Sequence, residues 1–399
     1  MKKILILGAG IYQVPLIKAA RRLGIYSIVV SIPGNYPGFA LADKVYYENT
    51  TDYAKILEIA KEENIDGIVT AGTDVAVITI GKVCDALGLT GLSEQAAVIA
   101  TDKLLMKEVY EAGGVRTARY RKVYFDNDAY ADQISELTLP LMFKSVDSSG
   151  SRGIVKVDTP EQFDSARETV RANTRSDYFI VEEFIDGEEF GAQAFVRNGR
   201  IEFILPHGDY VFKGDTGVPV GHFAPYDLSE DVLEDARLQL IGAINAMKLD
   251  NCAINADFIM KDGKTYVLEI GGRSGATCLA ELTAIYYDFD YYEKILQTAL
   301  GEEVSFTPGP AAKDGGVPNA SKLLISDKDG VIVSQTDNNA PDPDICEVQF
   351  DYKPGDQVHA FRVGPHRIGH VITKGKSLDE AVALLEKALE NIKIVVTGD

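Results

Sequence analysis

Short apolar runs alternate with amphipathic stretches over the first hundred residues. ILILG, YSIVVS, KVYY and GIVTAG have the length of buried strands, whereas VPLIKAARRLG, DYAKILEIAKEEN and DVAVITIGKVCDALG carry apolar residues at helical spacing. This alternation predicts parallel strands joined by crossover helices. We therefore expect residues 1–100 to form an α/β domain of their own.

The pattern changes to antiparallel pairs between residues 101 and 307. We expect LPLMFKSV to pair with GIVKV, and FIVEEFI to pair with EFGAQAFV and RIEFILP. NADFIMKDGKTYVLEIGG reads as a hairpin that turns at Asp262-Gly263, since this dipeptide favours tight turns. After an opening helix in TDKLLMKEVYEAGGV, helices are fewer and are expected near residues 160–174 and 229–247, so this region is predicted to be α+β.

A third region begins at PGPAAKDGGVP, whose proline and glycine content predicts a linker over residues 308–318. Predicted strands follow, and SLDEAVALLEKALENI has the period of an amphipathic helix. The 399 residues thus divide into three domains, 1–100, 101–307 and 308–399, within the range that about 150 residues per domain suggests.

Charge and cysteine content narrow the classes of partner. A formal net charge of −20 repels nucleic-acid backbones and anionic lipid, so neither nucleic acid nor a membrane is expected as a partner. No apolar run reaches the roughly 20 residues of a membrane helix. The four cysteines have no CxxC spacing, which is typical of reduced thiols in the cytoplasm.

Three local motifs resemble ligand-binding motifs, but each lacks a feature that its ligand requires. Gly8 and Gly10 follow the first strand, but Gln13 stands where a dinucleotide fold needs its third glycine. Gly375-Lys376-Ser377 lacks the earlier glycine of a phosphate loop, and Ser377 with Glu380 predicts a helix cap instead. His366 and His370 are expected on a strand, too far apart to chelate one ion.

A lysine and a small-residue loop lie together in LPLMFKSVDSSGSRGI. Small residues let backbone N–H groups approach phosphate oxygens, and Lys144 at the end of the strand adds a positive charge. The loop residues offered for phosphate contact are Ser149, Gly150 and Gly153.

FIVEEFIDGEEF places carboxylates after an apolar strand. Glu182 and Glu183 end the strand, and Glu188 and Glu189 follow the Asp186-Gly187 turn. An apolar slot beside acidic oxygens can take adenine, with backbone groups reading the base and a carboxylate holding the ribose. The alternative interpretation is a solvated acidic turn.

The predicted hairpin carries a second pair of carboxylates. Asp257 and Glu269 lie on its two strands among apolar residues, and burying two like charges without a cation is unfavourable. Oxygen ligands of this kind suit Mg²⁺. Arg273, four residues after Glu269, would direct a guanidinium at a phosphoryl group or a carboxylate.

The order of lysine, glycine-rich loop, VEEFxxGxE, aspartate and LExxxR resembles the ATP-grasp superfamily over nearly the whole chain. The resemblance implies a Rossmann-like pre-ATP-grasp domain, a two-lobed ATP-grasp domain and a small C-terminal α+β domain. It implies ATP and Mg²⁺, with Mn²⁺ as a substitute ion. By resemblance, Lys103 and Lys144 hold phosphates, Glu182, Glu183 and the backbone through Ile185 lie at adenine, Glu189 holds ribose, Asp257 and Glu269 bind magnesium, and Arg273 matches the arginine of E-x-N-x-R.

One position departs from the family pattern. Gly271 stands where the family has asparagine as a third metal ligand. Either one ion is held more loosely, or another group such as Asn255 takes the role.

The resemblance implies a cytoplasmic ligase, expected to be a homodimer, that joins a small-molecule carboxylate to an amine through an acylphosphate. PHGDYVFKGDTGVPVGHF, residues 206–223, is the expected lid, with Lys213 as a catalytic residue and His222 able to enter the site. EIGGRSG favours the branch of the L-amino acid ligases.

Two alternatives remain open from the sequence. One is a purine-pathway enzyme of the phosphoribosylglycinamide synthetase kind, or a carboxylase-like enzyme that activates bicarbonate or formate. A phosphoribosyl substrate should need a basic pocket, and Lys18, Arg21 and Arg22 read more simply as a solvated helix face. The other alternative is a nucleotide-binding sensor without turnover.

Overall fold

The computed structural model describes residues 1–148, 152–212 and 218–397. Its first part is a four-stranded parallel sheet of order β3-β2-β1-β4, as the alternating pattern predicted. The strands are β1 (Lys3–Leu7), β2 (Tyr26–Ser31), β3 (Lys44–Tyr47) and β4 (Gly67–Val69), and the helices are α1 (Val14–Arg22), α2 (Tyr53–Glu63), α3 (Val77–Leu87), α4 (Glu94–Ile99) and α5 (Lys103–Ala112), with a 3-10 helix at Pro37–Leu41.

A four-stranded antiparallel sheet of order β5-β8-β6-β7 follows. Its elements are β5 (Tyr120–Tyr124), α6 (Tyr130–Gln133), β6 (Leu141–Lys144), β7 (Ile154–Val157), a 3-10 helix at Pro160–Gln162, α7 (Phe163–Arg171) and β8 (Tyr178–Glu183). The predicted pairing of LPLMFKSV with GIVKV is confirmed by β6 and β7. The predicted pairing of FIVEEFI with the next two runs is wrong, because β8 pairs with β5 and β6 instead.

The largest sheet has eight strands in the order β13-β12-β9-β10-β11-β14-β18-β16. It is built from β9 (Glu188–Arg197), β10 (Arg200–Val211), β11 (Pro219–Ala224), β12 (Cys252–Lys261), β13 (Lys264–Gly271), β14 (Asn319–Leu324), β16 (Ile345–Phe350) and β18 (Gly369–Lys374), while β15 (Gly330–Asp337), β17 (Gln357–Val358) and β19 (Ile392–Thr397) form a three-stranded sheet. The helices here are α8 (Glu230–Met247), α9 (Leu279–Tyr287), α10 (Tyr291–Ala299) and α11 (Leu378–Glu390), with 3-10 helices at Pro310–Ala312 and Gly364–His366.

One predicted turn and one predicted helix cap are confirmed. Asp262 and Gly263 both have positive φ, 51° and 70°, as a tight two-residue hairpin turn requires. Ser377 caps α11 by accepting a hydrogen bond from the Glu380 amide at 3.2 Å. The segment predicted as a linker, residues 308–318, contains the 3-10 helix Pro310–Ala312 and leads into β14, which pairs with β11 in the large sheet.

Helices α5 and α8 pack against the large sheet and bury one apolar cluster. Tyr110 of α5 and Met247 of α8 are fully buried and meet Phe258 of β12 in this cluster. None of the helices in the described residues is long and apolar enough to cross a membrane.

Candidate active site

Asp257 of β12 and Glu269 of β13 stand directly opposite each other in the hairpin register. Burial, together with the negative charges of Glu269 and Asp209, raises the pKa of Asp257 to about 7. Two carboxylates placed together in this way repel each other unless a cation lies between them. The pair therefore fits a divalent cation with a preference for oxygen ligands, as the sequence indicated for Mg²⁺.

Lys103 at the start of α5 contacts one carboxylate of this pair. Its Nζ lies 3.2 Å from Glu269 Oε1 and donates to the Ser148 carbonyl at 2.8 Å. Asp102 caps the helix, since its carboxylate accepts from the amides of Leu104 and Leu105. The cap fixes the direction of Lys103, which is therefore placed between the carboxylate pair and the loop that follows β6.

Glu182, Lys107 and Lys144 form a buried cluster of three charges. Glu182 accepts from Lys144 Nζ at 2.8 Å, and Lys107 Nζ lies 3.1 Å from its other oxygen. Burial alone would raise the pKa of Glu182, but the two lysines outweigh it and hold that pKa at about 2. Burial lowers the pKa of Lys107 to about 8. The carboxylate of Glu182 is committed to these lysines, so only its backbone remains to face a base.

Lys107 was missed by the sequence reasoning. It lies four residues after Lys103, one helical turn further along the same face of α5, and its side chain is only 1% exposed. That spacing was the available signal. A second hydrogen bond of 2.6 Å to the Thr117 hydroxyl completes its environment.

The remaining residues predicted for nucleotide contact are placed differently. The carboxylate of Glu183 accepts hydrogen bonds from Arg119 at 2.8 Å and from the Thr138 amide at 2.9 Å, so it is already engaged in contacts within the protein. Ile185 is half-buried and Glu189 is exposed beyond it. Gly153 has φ of 66° and its carbonyl accepts from the Ser145 amide. The predicted residues Ser149, Gly150 and Lys213 lie outside the described residues.

Arg273 is held by Asp74 from the first part of the chain. Its Nε and Nη2 each donate to a different oxygen of Asp74 at 2.8 Å. The fork geometry fixes the plane of the guanidinium. Asp74, in the segment TAGTDVA that follows β4, was not predicted from the sequence.

Asn255 faces Gly271 across the hairpin, at the level of the missing family asparagine. The Gly275 amide donates to Gln193 Oε1 at 2.9 Å, and Gln193 Nε2 donates to Asn255 Oδ1 at 2.6 Å. Asn255 Nδ2 then points at Asp257 Oδ1, 3.5 Å away. Because its oxygen is already engaged, Asn255 is oriented as a hydrogen-bond donor to Asp257 and does not replace the missing ligand.

A cavity of about 450 Å³ lies among α1, the loop after Arg273 and the strands near residue 370. Arg367 in its wall binds Asp351 at 2.8 Å, and His370 Nε2 lies 3.3 Å from Glu347 Oε2. The solvated face predicted for α1 is present, since Lys18, Arg21 and Arg22 are exposed, and Lys18 and Arg22 also line this cavity. The cavity includes Tyr12, Lys18, Arg22, Thr277, Arg367 and His370.

Thr277 and Cys278 of the cavity wall both have positive φ, 54° and 71°. Two successive non-glycine residues in this region store strain, a feature that clusters at ligand sites. The loop joins Arg273 to α9, so the strained pair connects the cavity to the guanidinium.

Two family models match this chain. The model of the ATP-grasp domain matches residues 137–281, which include the carboxylate pair and Arg273. The model of the L-amino acid ligase C-terminal domain 2 matches residues 322–397.

Three similar proteins match nearly the full length of this chain. The crystal structure of phosphoribosylglycinamide synthetase from Anaerococcus prevotii is 35% identical with a TM-score of 0.85, covering 99% of this chain and 100% of that chain. L-amino acid ligase from Bacillus licheniformis, at 18% identity and a TM-score of 0.80, covers 100% of this chain and 99% of that one and shares the fold. A formate-dependent phosphoribosylglycinamide formyltransferase of Methanocella arvoryzae is 24% identical over 98% of this chain and 92% of its own length.

Proposed function

Because this chain belongs to the ATP-grasp superfamily and is an ATP-dependent carboxylate-amine ligase that releases ADP, we propose that its substrates are a small carboxylic acid and an amino acid. The product would be an amide or peptide bond. ATP-grasp enzymes use ATP and Mg²⁺.

The pairing of opposite charges in the wall of the 450 Å³ cavity supports this choice of substrate. Among the described residues of its wall, the buried basic groups Arg367 and His370 already face Asp351 and Glu347. A phosphate dianion would have to compete with these carboxylates for both basic groups. A wall of alternating sign suits a zwitterion, whose ammonium and carboxylate groups each find an opposite charge.

The reaction divides into two steps. The substrate carboxylate attacks the γ-phosphorus of ATP, which forms an acylphosphate and releases ADP, and the amine then displaces phosphate from the acyl carbon. Magnesium bound by Asp257 and Glu269 would neutralise the charge that develops on the phosphoryl oxygens. We assign Lys103 and Lys144 to the same oxygens, and Arg273 to the orientation of the substrate carboxylate.

Exclusion of water is a separate requirement, because acylphosphates hydrolyse readily. We assign it to residues 206–223, which include the ends of β10 and β11, with Lys213 entering the closed site. The nucleotide base is assigned to the backbone from Glu182 to Ile185, and the ribose to Glu189, whose exposed carboxylate is available.

The proposal also covers the domain organisation and the assembly of the protein. We assign residues 1–100 to a pre-ATP-grasp domain, 101–307 to the ATP-grasp domain and 308–399 to a closing domain that shares its sheet. A cytoplasmic homodimer is proposed, and Mn²⁺ is expected to replace Mg²⁺.

A second candidate comes from the 35% identity to the phosphoribosylglycinamide synthetase structure over the full chain. Under this candidate, the amine would be a phosphoribosylamine and the acid an amino acid. Lys18 and Arg22 at the cavity would then meet the phosphate.

The test is nucleotide release from ATP-Mg²⁺ with separate substrate pools. Amino acids, small carboxylic acids, bicarbonate with formate, and phosphoribosylamine with glycine form the four pools. ADP with only the first two, combined or alone, supports the main proposal, and a coupled product then identifies the acid and the amine. ADP that requires phosphoribosylamine moves the protein to the second candidate, and AMP formation contradicts both.

A further inference from the structure

A cluster of two histidines and one aspartate lies on the hairpin of β10 and β11. Asp209 of β10 stands opposite His222 of β11 in the strand register. His207 precedes Asp209 by two residues and therefore projects from the same face of β10. HGD, followed thirteen residues after the aspartate by histidine, is the corresponding sequence signal.

The nitrogen atoms of both imidazoles converge on one oxygen. Nδ1 of His207 lies 3.0 Å and Nδ1 of His222 lies 2.6 Å from Oδ1 of Asp209. The three donor atoms lie within 4.8 Å of one another. The imidazoles are only 2% and 3% exposed, whereas the Asp209 side chain is 29% exposed. An ion could therefore reach the cluster from the side of Asp209.

We propose that His207, Asp209 and His222 bind a divalent transition ion of the Zn²⁺ type, at a site distinct from the Asp257–Glu269 pair. Two imidazoles and a carboxylate form a donor set that Zn²⁺ and its neighbours favour, whereas Mg²⁺ prefers oxygen alone. Bonds of about 2.0–2.1 Å require donor atoms about 3.3 Å apart. From their separations of 3.0 Å and 2.6 Å, the imidazole nitrogens of His207 and His222 would therefore move away from Asp209 Oδ1 by about 0.3 Å and about 0.7 Å.

Gly191 of β9 makes room for this arrangement. A Cβ built at Gly191 would lie 2.2 Å from His207 Cε1 and 2.5 Å from its Nε2. Gly191 pairs with His207 on one side and with Asp257 on the other. The His207 ring thus lies over the glycine towards Asp257, and the proposed ion shares a sheet face with the carboxylate pair.

The site also lies at the base of the proposed lid. Phe212 and Val218, joined by a backbone hydrogen bond of 3.0 Å, end the two strands just beyond Asp209 and His222. An ion held by both strands would clamp this hairpin. Three protein ligands leave at least one coordination position for water or a substrate oxygen.

The experiment uses Co²⁺ as an optical probe for the Zn²⁺ site on the full chain. The protein is stripped with a chelator, supplied with excess Mg²⁺ to occupy the oxygen site, and titrated with Co²⁺ while visible absorption is recorded. We expect one equivalent of Co²⁺ with d–d bands typical of nitrogen ligation, and its displacement by one equivalent of Zn²⁺.

Ligand variants locate the ion. His207→Gln and His222→Gln should each weaken Co²⁺ binding by about 100-fold or more, since even groups outside the ligand set contribute 10- to 100-fold. Asp257→Asn should keep the Co²⁺ bands. His359→Gln is the matched control, because this imidazole is exposed and bonds to Asp329 far along the chain.

The proposal does not rest on the substrates of the ligase, since metal binding is read without turnover. Wild-type protein without the Co²⁺ bands, or bands that survive in both histidine variants, would overturn it. Bands lost in Asp257→Asn but kept in His222→Gln would assign the ion to the carboxylate pair and also overturn it. Melting curves of each variant separate ligand loss from unfolding, and a variant that unfolds is replaced by Asp209→Asn.

Discussion

Arg273 and Asp74 are joined by two hydrogen bonds of 2.8 Å across 199 positions of sequence. The pair links the loop after β13 to the first, parallel part of the chain. Its side chains are 16% and 18% exposed, so the guanidinium remains accessible to a substrate while its plane is fixed. The first part of the chain thus contributes directly to the geometry of the site.

We expect Asp74→Asn to lower kcat by about 10- to 100-fold, because a guanidinium misplaced by about 1 Å can lose that much. The KM for ATP should change little, since Arg273 is assigned to the acid substrate. Steady-state ADP release measures both constants. Asp314→Asn, at an exposed position, is the control, and an unchanged kcat in Asp74→Asn would show that Arg273 does not depend on its partner.

Lys107→Met removes one partner of a fully buried ion pair. We expect a loss of about 3–5 kcal/mol in stability, because the charge of Glu182 is left with Lys144 alone. ATP affinity should fall as well, since Glu182 carries the backbone assigned to adenine. Thermal unfolding and ATP titration check the two effects, with the exposed Lys61→Met as control.

The double variant Lys107→Met/Glu182→Gln sharpens this test. Removing the carboxylate charge together with the ammonium should recover part of the lost stability, because an unpaired buried charge is the main penalty. A double variant that loses the sum of the two single losses would contradict the coupling of these residues.

Asp257→Asn should raise the melting temperature of the metal-free protein. Its carboxylate lies opposite Glu269, and two like charges in a partly buried site destabilise the fold until a cation binds. The same change should abolish the rise in melting temperature on addition of Mg²⁺, worth about 2.7 kcal/mol at 100 times the dissociation constant. Thermal unfolding with and without Mg²⁺ measures both, and Glu303→Gln, 97% exposed, is the control. A lower melting temperature without metal would be the contrary result.

Glu63 gives the first sheet a pH-dependent contact. Hydrogen bonds from Lys44 and from Tyr46 at 2.6 Å outweigh burial and lower its pKa to about 2. The ionised carboxylate therefore stabilises the fold above the unfolded value of about 4.3, and this contribution is lost as pH falls towards 2.

Glu63→Gln should accordingly destabilise the protein by about 1–2 kcal/mol at pH 7. The difference from wild type should narrow between about pH 4.5 and pH 2.5. Melting curves across that range test the expectation, with Glu58→Gln on the same helix as control, since that carboxylate is 66% exposed. A constant difference at all pH values would mean that Glu63 acts by packing alone.

Local patterns in the sequence determined much of the secondary structure of this protein. The alternation of apolar runs and helical periods predicted the parallel sheet, and Asp262-Gly263 predicted the hairpin turn, because strand period, helix period and turn chemistry are properties of neighbouring residues. Carboxylates among apolar residues marked Asp257 and Glu269 as a cation site for the same reason.

Tertiary structure decided which distant groups meet. The partner of β8, the opposition of Asp257 and Glu269, and the pairs Lys107–Glu182 and Arg273–Asp74 all depend on how separate elements pack. The His207–Asp209–His222 cluster likewise needs the register of β10 with β11 and the missing side chain of Gly191. Residue spacing carries no record of such contacts, because they arise only when sheets and helices bury their apolar faces together.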